Sequence, residues 1–207
     1  MARLGSGLRL EYNRAMAEPA FARMTLGDFL RWEDGTDTRY ELIGGFPVAM
    51  APPSENHGEL AVRLGARLSA ALSQRPPCRA LSEAGIVRRD RADSFFVADL
   101  AATCAPRQPR RQSIDDPILI VEILSPSTEV HDRGFKLPAY REIGTVQEIL
   151  LVGSDRRYVE LHRRSGPQWI TEILRGEADT IRLTSVGTDI PLAELYDGIA
   201  FDDVLAS

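Results

Sequence analysis

Pro117-Ile118-Leu119-Ile120-Val121-Glu122-Ile123-Leu124 decides the fold. Ile118 to Val121 are apolar at every position, and neighbouring residues of a strand point to opposite faces. A strand apolar on both faces is covered on both. This run therefore predicts a central strand of a sheet with a layer on each side. Glu122 ends the apolar part of the run. A carboxylate in such a place is costly unless it is paired or put to use.

Upstream, Phe95–Thr103 is a second apolar, β-rich run, with Asp99 in its middle. Between the two, Ala105 to Asp116 holds Pro106, Pro109, Arg107, Arg110 and Arg111 and reads as a loop. Downstream, Ser127 or Thr128 is predicted to cap a helix reaching about Ile143. Pro138 should kink it or restart it at Leu137–Ala139, and Gly144 is a glycine stop. That helix carries Lys136, the sole lysine among 25 Lys and Arg residues. Arginine replaces lysine on most surfaces, but less well where a compact ammonium must reach a buried group.

Further out, Thr25 with Asp28 predicts a capping box for a short helix to about Trp32. Arg39–Ile43 and Phe46–Met50 flank Gly44-Gly45 as a hairpin. Ser54 is a cap for an amphipathic helix carrying Leu60, Leu64, Leu68, Ala71 and Leu72, which Pro76-Pro77 ends. Arg79–Arg88 alternates loosely as a strand. Glu148–Val152, Tyr158–His162 and Gln168–Leu174 read as successive antiparallel strands, and Pro191–Leu195 as a last helical turn. The order of elements predicts an α/β (mixed α+β) architecture, a mixed central sheet flanked by helices.

At 207 residues the chain is expected to form one domain over residues 24–207, with residues 1–23 as a flexible extension or the product of a misplaced start, Met16 and Met24 being alternative starts. No apolar run approaches the roughly 20 residues of a membrane span. The first residues do not read as a secretory signal, so a cytoplasmic location is expected. Cys78 and Cys104 suggest no disulfide framework or zinc motif. His57, His131 and His162 are not spaced as metal ligands and read as packing or surface residues. A net charge of −5 argues against an indiscriminate nucleic-acid binder. It leaves room for a nucleic-acid enzyme with local basic patches, such as Arg88/Arg89/Arg91, Arg156/Arg157 and Arg163/Arg164, each of which otherwise reads as a solvated strand end.

Two carboxylates on one sheet edge and a nearby ammonium are what a metal-dependent phosphodiesterase needs. The acids hold Mg²⁺, the metal activates water, and the lysine orients it or offsets developing charge. Asp99, Glu122 and Lys136 supply this set. The residues that carry them also match a family. Val121-Glu122-Ile123-Leu124-Ser125-Pro126-Ser127-Thr128, then Asp132-Arg133-Gly134-Phe135-Lys136-Leu137-Pro138-Ala139-Tyr140, resembles the Uma restriction-endonuclease family of the PD-(D/E)xK nuclease superfamily. Arg39–Gly45, Pro52-Pro53-Ser54 with His57, and Val97-Ala98-Asp99-Leu100 resemble its amino-terminal part.

The resemblance implies a restriction-endonuclease-like core and cleavage of DNA with Mg²⁺ or Mn²⁺. Asp99 and Glu122 would be both catalytic and metal-binding, Lys136 catalytic, and Glu41 a candidate further acid. By analogy with enzymes that cut both strands, a homodimer is expected. The sequence departs from the pattern in three places. Leu124 stands where the superfamily has its lysine, and the resemblance makes Lys136 the candidate for a migrated equivalent. Ala98 replaces the proline before the aspartate, and Gly44-Gly45-Phe46 replaces an Asp-Gly-Glu turn.

The rival expectation is a nuclease-fold binding or scaffolding module, suggested by the acidic net charge and the missing acid. A carboxylate-pair glycosidase would leave Lys136 unexplained. Ser125 and Ser127 lack a nucleophile elbow and read as caps. Trp32, Trp169 and Tyr140 read as packing residues, and Asp132 with Arg133 as a helix-start or ion-pair feature that orients Lys136.

Overall fold

The computed structural model describes residues 22–201. Nearly all of the expected amino-terminal extension lies outside the described residues.

The core is a six-stranded sheet in the order β3-β4-β5-β6-β7-β8. These strands are Arg79–Ile86, Phe96–Thr103, Pro117–Leu124, Glu148–Gly153, Val159–Ser165 and Gln168–Leu174. Only β5 and β6 run parallel, with Glu122 opposite Leu151. A parallel pair needs a crossover connection, and the segment carrying Lys136 provides it. As the Ile118–Val121 pattern predicts, β5 is central and buried on both faces.

Alternation along β5 builds two cores. Leu119, Val121 and Ile123 join Leu60, Leu64, Leu68 and Leu72 of α2 (Glu55–Leu72), a stripe at four-residue steps. Ile120 and Leu124 pack with Leu137 and Tyr140 on the other face. A Leu side chain moved fully from water contributes roughly 1.5–3 kcal/mol, so the α2 stripe is a main attachment of helix to sheet. Ser54 caps α2 through the His57 amide at 3.3 Å. This sets His57 on the first turn.

The short helix α1 (Leu26–Phe29) has the expected Thr25/Asp28 capping box. The hairpin β1–β2 (Tyr40–Ile43, Phe46–Ala49) turns through Gly44 and Gly45 at φ 58° and 89°, as a primed two-residue turn requires. It is stitched to the start of β4 by reciprocal Leu42–Phe95 backbone bonds of 2.8 Å.

Three expectations change. The helix after β5 restarts at Leu137, as one of the two Pro138 alternatives has it, but a π-helical turn that was not foreseen precedes the restart. The segment comprises α3 (Glu129–His131), the π-helical turn (Asp132–Lys136) and α4 (Leu137–Arg141). Pro138 has no N–H to donate and its ring crowds the carbonyl four residues back. The backbone widens just ahead of it, and the Leu137 amide bonds Asp132 O. The helix ends at Arg141, before Gly144, which shows no left-handed φ. Lastly, Cys78 and Cys104 form a disulfide joining the start of β3 to the end of β4. Their 26-residue separation resembles no motif, but β3 and β4 pair Arg79 with Thr103 and so bring the flanking cysteines together.

The antiparallel pair β9 (Thr180–Leu183) and β10 (Thr188–Pro191) was not foreseen. Ile181, Leu183 and Ile190 join the α2-side core, followed by α5 (Leu192–Leu195). These strands are only four residues long, too short for alternation to stand out.

Candidate active site

The site forms where β1, β4, β5 and the π-helical turn meet. The Lys136 side chain is only 7% exposed. Its ammonium lies 3.0 Å from Glu41 Oε1, 3.3 Å from Asp132 Oδ1 and 3.4 Å from Glu122 Oε1, and donates to Val97 O at 3.2 Å. Asp132 and Lys136 bracket the π-helical turn, and both are buried within it. Extra residues of this kind inside helices recur at functional sites.

Each carboxylate has a second anchor. Glu41 Oε1 accepts from the Val97 amide at 2.7 Å, and Glu41 Oε2 lies 3.3 Å from His131 Nε2. Glu122 Oε1 accepts from the Tyr140 hydroxyl at 2.5 Å. Asp99 does not touch Lys136. Its Oδ2 accepts from the Ile123 amide at 2.6 Å, and its Oδ1 lies 3.2 Å from His57 Nε2. At 22% and 17% exposure, Asp99 and His57 form the accessible lip of the site, whereas Glu122, at 2%, forms its floor.

A local irregularity accompanies Asp99. The β3–β4 register runs from Ser82↔Leu100 to Ala84↔Ala98, and between them Glu83 takes φ 48°. Such a backbone is strained for a residue with a side chain, and strain of this kind concentrates at functional sites. Ala98 and Ala101 pack in one core, Leu100 and Ala102 in the other. The alternation therefore slips at Asp99.

Three buried carboxylates share one ammonium, and the site's protonation follows from that. Burial pushes the Glu122 carboxyl well above its ordinary range. Lys136 pulls it down, while the charges of Asp99 and Asp132 add to the rise. Burial also raises Asp132. For Glu41, burial is outweighed by the His131 imidazole 3.3 Å away, the Lys136 charge and the Val97 amide, and its carboxyl is lowered. For Lys136, burial is overcome by Glu122, Glu41 and Asp132, which hold it charged. His57 is raised because Asp99 more than offsets burial. Glu41 and Glu122, on the same ammonium, are thus driven in opposite directions, a pattern found at acid–base centres.

Carboxylate oxygens are the ligands Mg²⁺ and Mn²⁺ prefer. With acids outnumbering the ammonium, the donor set suits a hard divalent cation in charge and type. Among the described residues no group of three or more His, Cys, Asp or Glu side chains already stands as a metal cage. Glu41, Glu122 and Asp132 converge on Lys136 instead.

Among the sequence-predicted residues, Lys136, Glu122 and Glu41 come into contact, and Asp99 stands beside them through the Ile123 amide. Asp132 does meet Lys136, as its reading as an orienting residue anticipated. Tyr140 packs in the core but also bonds Glu122, and His57 and His131 hold carboxylates. Packing alone did not anticipate these roles. Their signal was position: His57 on the first turn of α2, His131 immediately before the π-helical segment and Tyr140 one helical turn after it.

A family model described as "Uma2: Putative restriction endonuclease" matches residues 26–193. The "Uncharacterized protein slr1290" of Synechocystis sp. is 31% identical over 184 residues, covering 87% of this chain and 95% of its own. The "Uncharacterized protein sll1609" of the same organism is 27% identical over 160 residues, covering 74% and 89%. The fold is similar to a crystal structure of "a putative nuclease belonging to DUF820" from Anabaena variabilis. The TM-score is 0.69 at 20% identity, covering 84% of this chain and 97% of that one.

Proposed function

This chain belongs to the Uma2 restriction-endonuclease family, and on that premise we propose that it is a metal-dependent endonuclease of the PD-(D/E)xK type that hydrolyses phosphodiester bonds in DNA. The observation that carries the reading is the buried Lys136 ammonium gathered by Glu41, Glu122 and Asp132, beside an accessible Asp99.

Asp99 and Glu122 would hold Mg²⁺ or Mn²⁺, with Glu41 as a further acid. Bound there, the ion would supply Lewis acidity and a water of lowered pKa. The chain's own residues do the rest. His57 and the Ile123 amide hold the two oxygens of Asp99 and fix its orientation. Tyr140 donates to one oxygen of Glu122 and holds the carboxylate on the floor of the site. Lys136 presents fixed positive charge where the phosphate would gain negative charge, without reorganising at the moment of reaction. Asp132, one turn earlier, fixes the direction of that ammonium.

A second reading, a binding or scaffolding module with this fold, is favoured by the way the acids close on Lys136. In that case the cluster is a buried ion network that fixes the packing of the β5–β6 crossover.

Cleavage of supercoiled plasmid by the purified full chain separates the two. The expected result is nicked and linear product with Mg²⁺ or Mn²⁺, abolished by EDTA and by Asp99→Ala or Lys136→Ala. Cleavage that survives Asp99→Ala in metal would refute the assignment. No cleavage, together with no heat of Mg²⁺ or Mn²⁺ binding in calorimetry, would establish the scaffold instead.

A further inference from the structure

Beside the acid cluster lies an open cleft of about 590 Å³ between the π-helical segment and the turn joining β6 to β7. Its centre is the Tyr158 ring, over which three guanidinium groups stand: Arg175 at 4.9 Å, Arg156 at 5.2 Å and Arg133 at 5.7 Å from the ring centroid. Arg157 lines the same cleft. Within the lining two carboxylates face these four cations, and from outside it Asp155 pairs with Arg156 at 3.2 Å and Glu177 stands 3.9 Å from Arg157. Glu129 pairs with Arg133 and Arg156, each at 2.9 Å, and Glu160 pairs with Arg133 at 2.6 Å. The lining of the cleft therefore holds more cations than carboxylates, on a protein whose net charge is −5.

The surplus has specific owners. Arg175 makes no ion pair among the described residues, and its guanidinium is held by the Tyr158 face. Arg157 reaches only Glu177, at 3.9 Å, and its Nε is buried without a hydrogen-bond partner. An unpaired buried donor is costly, and like charges gathered on one ring repel. A bound anion relieves that repulsion. Tyr158 is fixed by its hydroxyl bond to Glu160, so the arginines rest on a platform that does not move. Guanidinium forks match phosphate oxygens in geometry.

Position suggests which phosphate. Arg133 lies between Asp132 and Lys136 in the π-helical turn. The Ser154 hydroxyl and amide, at the base of the β6–β7 turn, both bond Leu124 O, two residues beyond Glu122. The cleft thus adjoins the same end of β5 as the acid cluster.

We propose that the Arg133/Arg156/Arg157/Arg175 cleft around Tyr158 binds a backbone phosphate of the nucleic-acid strand, one or more nucleotides away from the bond at Lys136. This rests on the endonuclease reading for its ligand class but not on hydrolysis. With guanidinium groups gathered over its ring, Tyr158 holds arginines and does not stack on bases.

The test is binding by fluorescence anisotropy, with the full chain in EDTA and labelled duplex DNA, single-stranded DNA and RNA of one sequence. Arg175→Ala and Arg157→Ala are compared with Arg182→Ala, an exposed arginine on β9. Arg175→Lys keeps the charge, and thermal melts confirm folding of each. The expected result on at least one of the three probes is a several-fold weaker Kd for both cleft variants. On duplex the salt dependence of log K should also flatten by about 0.9 for each phosphate that is no longer neutralised. Arg182→Ala should leave both quantities unchanged. Which probe responds tells DNA from RNA. Affinity and salt slope equal to wild type in both cleft variants, or no binding to any probe, would overturn the proposal. Arginine-dependent binding without plasmid cleavage would remove hydrolysis and keep the cleft. Cleavage with arginine-independent binding would do the reverse.

Discussion

The Tyr140 hydroxyl donates to Glu122 Oε1 at 2.5 Å, across the boundary between α4 and β5, with both groups buried. Tyr140 stands one turn beyond Lys136, so helix and strand are tied twice at the same carboxylate, by a neutral donor and by a charged one. Tyr140→Phe removes the neutral tie and leaves the ring in place against Phe96. The carboxylate then loses a donor in a buried site, which costs about 1–3 kcal/mol. Urea unfolding should show a lower midpoint with an unchanged slope. An unchanged midpoint would mean that the bond adds nothing.

Lys136 is the more severe case. Removing one partner of a buried charge network leaves the others uncompensated, at about 3–5 kcal/mol. Here three carboxylates depend on one ammonium. Lys136→Met keeps much of the stem's volume and isolates the charge. It should unfold several kcal/mol more easily than wild type. The double variant Lys136→Met/Glu122→Gln should recover part of that loss, since the carboxylate burial disfavours most is gone. Equal stability of the single variant and the wild type would show that the network is solvated.

Glu160 sets an acid limit. Burial alone would raise its carboxyl, but the His162 imidazole 3.2 Å away, hydrogen bonds from Tyr158 and Arg133, and the Arg133 charge bring it down to about 2. A folded pKa below the ordinary value of 4.5 means that the unfolded chain binds the proton more readily. The stabilisation is therefore complete above about pH 4.5 and is lost as pH falls towards 2. Its ceiling is on the order of 3 kcal/mol. Glu160→Gln should flatten the decline of the urea midpoint across that window, relative to wild type. A parallel decline in both proteins would assign acid sensitivity elsewhere, with Glu148 the next candidate. Four donors from Thr184 and Ser185, with Arg163, hold that buried group low despite its burial.

The pairing of Cys78 with Cys104 predicts that the oxidised protein, unfolded without reductant, shows no free thiol in a thiol-reactive dye assay. It also predicts a loss of stability on reduction. Closing a loop of this length is worth about 2–4 kcal/mol in the unfolded chain. If the reduced protein melts at the same temperature, the bond adds no net stability.

Long periodic signals were legible in the sequence, and short or cooperative ones were not. The apolar Ile118–Val121 run placed β5 at the centre, and the leucine stripe placed α2 on one face, because both patterns repeat several times. Gly44-Gly45 marked its hairpin because only residues tolerant of positive φ suit that turn. The π-helical turn was hidden, since Pro138 announces a disturbance but not its direction. The β9–β10 pair was too short to show a period. At the site, Asp99, Glu122 and Lys136 stood out as charge in apolar surroundings. The partners of the carboxylates did not, because His57, His131 and Tyr140 come from segments that only the tertiary fold brings together.

His57 gives the last prediction, because it separates a positioning role from a structural one. It stands on the first turn of α2 with Nε2 3.2 Å from Asp99 Oδ1, and the carboxylate charge favours its protonated form. It is not part of either leucine-lined core, so His57→Asn should leave the urea midpoint within about 0.5 kcal/mol of wild type, as for most substitutions away from packed features. If Asp99 is a catalytic group, loosening it should nevertheless slow plasmid cleavage by about tenfold or more, since a misplacement near 1 Å can cost about a hundredfold. His57→Gln, with an amide able to reach Asp99, should restore part of the rate. Unchanged cleavage in His57→Asn would mean that the Ile123 amide alone orients Asp99. A fall in stability matching the fall in rate would make His57 a packing residue.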